Sequence, residues 1–514
     1  ARERFCRRGD SAWYGPKAES AFLASVLGCV LGNPLEVNPD LDSLRRAGEA
    51  VFCSYPWHGR TAIVCGTGNN AGDGYVLAGC LRRAGIPCRL LLLEERFSPD
   101  GRFYFEECLR LGIPWSLCTG APDFSGDAEI ADCLFGTGFH GCAEGLTAEV
   151  IAAINRAGLP VISVDINSGL NGDSGLGSPA VRSTLTVSVG TYKTGHFLGA
   201  AKDTVGSLQN ADIGIPVPPE DCCRLTEAGD FHDILQPRRQ LSHKGNYGYV
   251  GLLGGCAEYA GAAKLANLSC AALRAGCGVA TLMVPQSLEA SVSPYLLEST
   301  LALLPDRDGH MRYDPERLDM LTGRLRALAV GMGWGRSPEN QAILAHLLEH
   351  YTGSLVIDAD GLNALAGLGP DALRPAAGRV LLTPHCKEFE RISGYPMEQI
   401  QSDPVETARE YAARNGVCLL LKGPCTVVTD GRATYLVNRG CAGMATAGSG
   451  DVLSGILAGL LGFSPMSPLT AACGAYINGL AGELAEQESN PISMTASDTV
   501  RKIPDSVSRM LHAN

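Results

Sequence analysis

Short apolar runs alternate with longer amphipathic runs along most of the chain, in two series separated by a proline-rich segment. The first series predicts strands at 61–65, 89–93, 131–135, 161–166 and 184–189, and helices at 75–84, 102–111 and 147–157. The second predicts strands at 249–253, 280–284, 327–330, 355–357, 380–382 and 417–421, and helices at 262–275 and 339–349. This alternation indicates βαβ units with mostly parallel sheets, which bind ligands at the carboxyl ends of their strands.

The proline-rich, acidic segment 215–221 is the best domain boundary, because the alternation stops there and resumes beyond it. With 514 residues the chain is too long for a single hydrophobic core. We therefore expect two different α/β domains, 1–220 and 241–514, joined by a linker at 221–240.

Composition narrows the class of protein further. The chain is 45% hydrophobic and 19% charged, with a net charge of −12, which argues against nucleic acid or an anionic membrane surface as partner. Its 20 cysteines are scattered without a CxxC pair, as expected for small buried hydrophobes in a reducing cytoplasm. The apolar run 21–32 is too short to span a bilayer, and we expect neither a signal peptide nor a membrane anchor.

A loop of small residues, Ala447–Asp451, precedes an apolar helix pattern that begins at Val452. Bare backbone N–H groups at the start of a helix bind anions, phosphate above all. A carboxylate beside a phosphate is unfavourable for stability alone, because like charges repel. Asp451 is therefore predicted to act as a base or as a ligand of a substrate hydroxyl.

Three predicted strand ends in the first half carry polar side chains between glycines. Asn69, Asn70 and Asp73 follow the first strand, Asp132 lies before a glycine turn, and Asp165 and Ser168 follow a later strand. Strand ends of a parallel sheet converge at one edge. Together these residues predict a polar pocket with oxygen ligands for a cation and a phosphate-bearing molecule.

With the segments 191–196 and 211–216, these motifs resemble the NAD(P)H-hydrate epimerase domain over residues 47–216, which implies a Rossmann-like three-layer α/β/α fold. The resemblance implies that the hydrated cofactor contacts Asn69, Asn70, Ala71, Gly72, Asp73, Gly136, Thr137, Gly138, Phe139, His140, Gly141, Cys142 and Asp165. It places a potassium ion at Asn70, Asp132 and Ser168. Asp165 either moves a proton or holds the substrate. Ala71 replaces a glycine of the family and Asn167 a proline, and residues 1–46 match poorly.

The second half contains five motifs whose order and spacing agree: 242–248, 330–335, 381–388, 421–426 and 447–451. Together they resemble the ADP/ATP-dependent NAD(P)H-hydrate dehydratase domain, a ribokinase-like α/β fold, over residues 241–488. The resemblance implies substrate contacts from Ala262, Gly333, Gly335, His385 and Asp451, and nucleotide contacts from Lys422, Gly423, Pro424, Cys425, Thr426 and Gly450. Asp451 would be the general base. The chain departs from the family at Cys386-Lys387 and at Cys425, whose side chain is expected to weaken nucleotide binding.

These resemblances imply a bifunctional enzyme, isomerase and lyase, that repairs damaged nicotinamide cofactors. The first domain would interconvert the R and S hydrates of NADH and NADPH (NADHX and NADPHX). The second would dehydrate the S form through a phosphorylated intermediate, with magnesium and with ADP favoured over ATP, and a cytoplasmic homo-oligomer is expected. The alternative is a ribokinase-like small-molecule kinase with a non-catalytic N-terminal binding domain, which would release a stable phosphorylated product.

Overall fold

The computed structural model describes residues 41–214, 223–271 and 274–512, which divide into two compact units at Arg224 and Leu225. The apolar run 21–32 and the predicted boundary 215–221 lie outside the described residues. Part of the predicted linker 221–240 is structured, because β8 joins the edge of the second sheet and Phe231 is buried in the second core.

The first unit is built on a seven-stranded parallel sheet in the order β3-β2-β1-β4-β5-β6-β7. Its elements in chain order are α1 (Leu41–Ser54), β1 (Thr61–Cys65), α2 (Asn69–Arg83), β2 (Cys88–Leu92), α3 (Pro99–Arg110), β3 (Trp115–Leu117), β4 (Glu129–Cys133), α4 (Gly145–Arg156), β5 (Val161–Val164), β6 (Leu185–Val189), α5 (Ala201–Thr204) and β7 (Ser207–Ala211). Residues of α1, α2 and α3 pack on one face and residues of α4 on the other. The unit is therefore a Rossmann-like three-layer α/β/α fold, as predicted.

The second unit is built on a ten-stranded sheet in the order β11-β10-β9-β14-β15-β16-β17-β18-β19-β8. Its strands are β8 (Arg224–Leu225), β9 (Tyr249–Leu253), β10 (Val279–Pro285), β11 (Thr300–Leu304), β14 (Ala327–Val330), β15 (Ser354–Ile357), β16 (Val380–Leu382), β17 (Cys418–Leu421), β18 (Thr426–Thr429) and β19 (Thr434–Val437). Neighbours from β11 to β17 pair in parallel, and β17, β18 and β19 pair antiparallel. A separate hairpin joins β12 (Asp306–Arg307) to β13 (His310–Met311).

Helices surround this sheet. They are α6 (Ala260–Ala271), α7 (Glu289–Val292), α8 (Pro315–Thr322), α9 (Pro338–His350), α10 (Asp360–Leu368), α11 (Cys386–Ser393), α12 (Met397–Ser402), α13 (Pro404–Asn415), α14 (Ser449–Leu461), α15 (Pro468–Glu488) and α16 (Ala496–Leu511). Every residue from Val452 to Leu461 of α14 is buried, so this helix lies within the core and its first turn has a fixed position. None of the helices in the described residues is sufficiently long and apolar to cross a membrane.

In both sheets the order in which the chain adds strands reverses at one point, and ligands commonly bind at such a point. In the first unit the chain winds from β1 towards β3 and then continues with β4 on the other side of β1. In the second it winds from β9 towards β11 and then continues with β14 on the other side of β9. The crevice outside the carboxyl ends of such strand pairs is the usual ligand site of doubly wound sheets.

Two helices begin earlier than the sequence predicts. The structure starts α2 at Asn69 and α14 at Ser449, so residues expected in loops already lie in first helical turns. The reason is the same in both: small residues are compatible with the helical first turn, and the apolar pattern becomes readable only further along the helix. Polar groups at 69–73 and 449–451 are therefore held by helix geometry.

Candidate active sites

Asp165 lies directly after β5 and is the centre of the polar cluster in the first unit. Its φ is +67°, a conformation that residues other than glycine adopt rarely, so the surrounding contacts hold it there. Lys193 Nζ donates hydrogen bonds to Asp165 Oδ1 and, at 2.8 Å, to the Val189 carbonyl. The Thr137 N–H donates to Asp165 Oδ2 at 3.2 Å.

The charges around Asp165 set its protonation. Burial alone raises the pKa of Asp165, but the Lys193 ammonium, His196 and the Thr137 N–H together hold it below its usual value. Burial and Lys193 lower the pKa of His196 to about 4, so this imidazole is neutral. Its Nδ1 accepts from the Lys193 N–H at 3.0 Å, and its Nε2–H therefore donates to the Asp165 carbonyl at 2.8 Å. The carboxylate is thus ionised and rigidly oriented.

Asp73, one helical turn into α2, has a pKa shifted in the opposite direction. Burial, followed by the nearby Asp165 charge, raises the pKa of Asp73 well above its usual value. Its Oδ1 is buried and has no hydrogen-bond partner among the described residues. The pKa of Asp73 is thus shifted upward and that of Asp165 downward, so Asp73 is the carboxyl group of the two that more readily holds a proton.

The three residues predicted to bind potassium lie together. The fully buried carboxylate of Asp132 accepts from Ser168 Oγ at 2.6 Å, and burial raises its pKa. Ser168 Oγ in turn accepts from the Phe135 N–H at 2.9 Å. Asn70 Nδ2 donates to the Phe135 and Val164 carbonyls at 2.7 and 3.1 Å, which leaves Asn70 Oδ1 buried and without a partner among the described residues.

The other predicted substrate contacts of this unit fall into two groups. Gly136 lies against the cluster, since a Cβ there would be 3.0 Å from Asp165 Oδ2. In contrast, Gly72 faces the Leu44 side chain of α1, and Ala71 is buried within the fold. The remaining loop positions are solvent-accessible to different degrees: Gly138, His140, Gly141 and Cys142 are exposed and Phe139 is half-buried.

The sequence does not predict Lys193 and His196 as site residues, although both lie in the segment 191–196 that contributes to the resemblance. Their signal is local. A lysine and a histidine three residues apart directly follow a predicted strand that neighbours the Asp165 strand.

In the second unit, Asp451 occupies the first turn of α14. Gly448 precedes the helix with φ +94°, where a side chain would be strained, and a Cβ there would lie 2.4 Å from Leu265. A Cβ on Gly450 would lie 3.6 Å from both Lys422 Nζ and Asp358 Oδ2. The anion-binding turn predicted from the sequence therefore adjoins a lysine and a second carboxylate.

The pKa of Asp451 is raised to about 7, chiefly by burial and then by the Asp358 charge, while Lys422 opposes the rise. Lys422 Nζ donates to Asp358 Oδ1 at 2.9 Å and lies 3.9 Å from Glu388 Oε2. Burial lowers the pKa of Lys422, but these two carboxylates outweigh burial and raise it. The lysine is therefore charged, and Asp451 titrates near neutral pH.

Asp358 and Asp360, just after β15, are part of this site but are not predicted from the sequence. Asp358 Oδ2 accepts from Ser454 Oγ of α14 at 2.7 Å. Asp360 Oδ2 accepts from the Gly335 N–H at 2.8 Å, which connects the glycine turn after β14 to the carboxylates near Asp451. Ala359 between them has φ +48°. Two aspartates directly after a predicted strand were a readable signal.

The remaining predicted residues converge on the same region. Gly333 packs on Ala262, since a Cβ on Gly333 would lie 2.9 Å from the Ala262 Cβ. His385 forms a parallel backbone bridge with Lys422, which places the two side by side at the sheet edge.

The structure shows a local role for the His385 side chain. It is exposed and caps α11, where Nδ1 accepts from the N–H groups of Lys387 and Glu388 at 3.1 and 3.2 Å. Because His385 caps the helix through backbone N–H groups, the cap does not depend on which side chains follow it. This explains why the turn accommodates Cys386-Lys387.

The turn after β17 differs from one expectation. Gly423 and Pro424 are exposed and Thr426 is half-buried, whereas Cys425 is buried. The Cys425 side chain thus lies on the protein side of the turn, because a thiol is readily accommodated in an apolar interior. The expected intrusion of this side chain into a nucleotide site is not supported by its position.

Comparison with known proteins agrees with both halves. Residues 250–505 match the family described as NAD(P)H-hydrate dehydratase, and residues 48–195 match the family described as YjeF-related protein N-terminus. A bifunctional NAD(P)H-hydrate repair enzyme of Moorella thermoacetica is 37% identical over 466 residues, which cover 87% of each chain. One from Pyrobaculum aerophilum is 34% identical over 489 residues, covering 92% of this chain and 94% of the relative.

Among solved structures, the ADP/ATP-dependent NAD(P)H-hydrate dehydratase of Bacillus subtilis, co-crystallized with ATP/Mg²⁺, is similar to part of the chain. It is 27% identical, with a TM-score of 0.44, over 54% of this chain and 94% of that one. The two sheets and the sites at the carboxyl ends of their strands define a two-unit α/β protein with a Rossmann-like and a ribokinase-like half. The chain belongs to the family of bifunctional NAD(P)H-hydrate repair enzymes.

Proposed function

We propose that this chain repairs hydrated NADH and NADPH: the first unit interconverts the R and S hydrates, and the second dehydrates the S hydrate at the expense of a nucleotide, with ADP favoured over ATP. The observation that carries the proposal is Asp451, a carboxylate with a pKa of about 7 in an anion-binding helical turn beside Lys422. The family membership supports both halves of this assignment.

Dehydration needs a better leaving group than hydroxide. We infer that Asp451 takes the proton of the hydrate hydroxyl while the hydroxyl oxygen bonds to the terminal phosphorus of the nucleotide. The bond from that phosphorus to the bridging oxygen breaks, and AMP leaves when ADP is the donor. The N–H groups of the Gly448–Gly450 turn and the Lys422 ammonium stabilise the negative charge on the moving phosphoryl group. Loss of inorganic phosphate from the phosphorylated hydrate, with one ring proton, then restores the dihydropyridine.

The substrate and nucleotide positions proposed here rest on the resemblance to the dehydratase family. Ala262, Gly333, Gly335 and His385 are proposed to contact the hydrate, and the turn of Lys422, Gly423, Pro424, Cys425 and Thr426, with Gly450, to contact the nucleotide. Gly333 and Gly335 have φ of +64° and +67°, and a Cβ on either would meet neighbouring protein atoms, so glycine keeps this turn packed against the fold. Nδ1 of His385 is engaged by the helix cap and its Nε2 lies 3.6 Å from Glu388 Oε2, so the exposed ring has a fixed orientation.

Magnesium fits the carboxylate chemistry of this site, with Asp358, Asp360 and Glu388 as candidate oxygen donors near Lys422. Within the described residues, these carboxylates do not bring three ligand atoms within 4.8 Å of one another. We therefore propose that magnesium is shared with the nucleotide phosphates, whose charge it neutralises.

For epimerisation we propose that Asp73 and Asp165 act as a pair. The protonated Asp73 supplies an acid, and the ionised Asp165, oriented by Lys193 and His196, supplies a base or a ligand for the reacting part of the cofactor. Asn69, Asn70 and the loop from Gly136 to Cys142 are the proposed contacts for the rest of the molecule. Burying two carboxyl groups with oppositely shifted pKa values lowers folding stability, which would be unusual in a non-catalytic binding module.

A potassium ion fits beside this pair. Asn70 Oδ1 is a buried oxygen whose hydrogen-bonding capacity is unused among the described residues, and Asp132 and Ser168 add further oxygen donors. Hard oxygen ligands suit such a cation. We propose that potassium is held there and fixes the positions of the loops after β1, β4 and β5.

The test uses the full chain with R-enriched and S-enriched NADHX and with ADP or ATP. We expect recovery of reduced-nicotinamide absorbance with release of one inorganic phosphate per NADH, and faster consumption of R hydrate than spontaneous epimerisation allows. A stable phosphorylated product would instead identify a small-molecule kinase. Oligomeric state, which we propose to be a homo-oligomer, is measured on the same sample by light scattering.

A further inference from the structure

A thiol, a carboxylate and an imidazole meet in the second unit at a place that the proposed reactions do not use. Cys256 and Glu258 lie in the loop between β9 and α6, and His310 is the first residue of β13. One ligand atom from each lies within 4.8 Å of the other two, and among the described residues this is the one such group found.

The backbone fixes these side chains in place. Asp308 and Gly309, with φ of +53° and +78°, form the two-residue turn of the β12–β13 hairpin, a geometry that sets the direction of the next residue. The Ala257 N–H donates to the Gly309 carbonyl at 3.1 Å, so the loop of Cys256 is tied to the tip of the hairpin of His310. The convergence is therefore built into the fold.

Of two distances between these ligand atoms, one lies in the range of a tetrahedral zinc site and the other is about 0.2 Å shorter. Cys256 Sγ lies 3.1 Å and His310 Nε2 3.5 Å from Glu258 Oε2. Zinc bonds of about 2.0–2.3 Å to sulfur, nitrogen and oxygen separate neighbouring ligand atoms by about 3.3–3.8 Å. His310 Nδ1 is buried without a hydrogen-bond partner among the described residues, so protein contacts leave part of the imidazole unsatisfied.

We propose that Cys256, Glu258 and His310 bind one zinc ion, with water as the fourth ligand. Cys256 loses its thiol proton to solvent as the sulfur–zinc bond forms, so the thiolate and the Glu258 carboxylate neutralise the two positive charges. A sulfur and nitrogen donor set separates this site from those proposed for magnesium and potassium. The ion clips the loop before α6 to the β12–β13 hairpin.

The proposed zinc site lies against the turn that contains Gly333 and Gly335, which are proposed to contact the hydrate. A Cβ on Gly335 would be 3.0 Å from His310 Cε1 and 3.1 Å from Cys256 Sγ. Tyr259, three residues after Cys256, packs against Gly333. A Cβ on Gly333 would be 2.6 Å from the Tyr259 carbonyl oxygen. Zinc therefore fixes the wall behind the proposed hydrate contacts without touching the reacting groups.

The experiment titrates metal-free full-length protein with Co²⁺, whose thiolate complexes have a charge-transfer absorption that oxygen complexes lack, and then displaces it with Zn²⁺. We expect one equivalent bound with that absorption. Cys256→Ser is expected to remove the absorption, and Glu258→Gln and His310→Ala to weaken binding about tenfold or more. Glu258 is exposed, so its isosteric replacement keeps the fold even where the Cys256 variant does not.

Cys441→Ser is the matched control. The Cys441 thiol also lies against a carboxylate, Glu486, and no histidine completes a three-ligand group there within the described residues. It is expected to bind cobalt as the unmodified chain does. Zinc should also raise the melting temperature of the unmodified chain, and by less in Glu258→Gln. Absence of the thiolate absorption, or binding unchanged by Glu258→Gln and His310→Ala, overturns the proposal.

Discussion

At the scale of single residues, Asp451 determines what the second unit can do. Asp451→Asn is expected to lower dehydration by about 10²–10⁴-fold, because general-base catalysis contributes that much. Nucleotide affinity should change little, since the phosphate is bound by backbone N–H groups. Turnover is measured by absorbance and ADP affinity by calorimetry. Near-normal turnover would show that another group takes the proton.

The same substitution is expected to stabilise the protein at neutral and alkaline pH. The folded pKa of about 7 exceeds the 3.8 of an unperturbed aspartate, so the carboxyl group lowers stability as pH rises from about 4 through 7 and leaves it unaffected in more acidic solution. Asparagine removes this cost, which we estimate at about 1–3 kcal/mol after allowing for partial solvent access. Melting temperatures at pH 8 and at pH 4 check it: a gain equal at both values would point to another cause.

The pH dependence of dehydration gives a further residue-scale prediction. Because Asp451 must be ionised to accept a proton, kcat/KM is expected to fall about tenfold per unit of pH below about 7. Asp358→Asn removes a neighbouring negative charge and should shift this acid limb to lower pH, by about one unit. Lys422→Met removes a positive charge and should shift it to higher pH. Shifts of the same sign in both variants would contradict the assignment.

At the scale of elements, the first turn of α14 is expected to behave as an anion site that tolerates no bulk. A Cβ at Gly450 fits at 3.6 Å from its neighbours, so Gly450→Val should fold, but its methyl groups would occupy the phosphate position. We expect ADP affinity to fall about tenfold or more, roughly the loss of one charge-assisted hydrogen bond. Gly450→Ala serves as the matched variant with a smaller loss. Calorimetry that finds unchanged affinity in Gly450→Val would remove this turn from the nucleotide site.

The sequence predicts an element correctly when the apolar residues of that element follow a clear pattern. Strands such as β1 and β14 are buried along their whole length, so their continuous apolar runs are unambiguous. Strand β7 at the sheet edge contains only one large apolar residue, and α15 is buried nearly all round, so neither shows a clear apolar period at the expected length.

The sites show the same limit at residue level. Asp132, Asp165 and Asp451 are found from strand ends and glycine turns, which are local in sequence. The partnership of Lys422 with Asp358 joins residues 64 positions apart, and only the order of the strands brings them together. The hydrogen bond between Ser454 and Asp358 is longer-range still. Contacts of this kind depend on topology, and no local spacing encodes them.

At the scale of the whole molecule, the two units contain separate cores and separate sites, and we expect separable activities. Asp165→Ala should abolish enzymatic epimerisation and leave dehydration of pure S hydrate unchanged, because Asp165 contacts residues of the first unit only among its described hydrogen bonds. Turnover of R-enriched and S-enriched hydrate is compared, with spontaneous epimerisation subtracted. Equal losses on both epimers would mean a shared site or a shared folding unit.

The joining of both cores in one polypeptide also has a kinetic consequence. Each round of translation delivers one catalyst of each kind, so their molar ratio is fixed at synthesis and cannot be adjusted by separate expression. For the proposed pair of reactions, the balance between the two enzymatic steps then depends on the kinetic constants of the two halves and not on their relative expression. An epimerase half slower than its partner would leave R hydrate as the species that accumulates as hydrate forms.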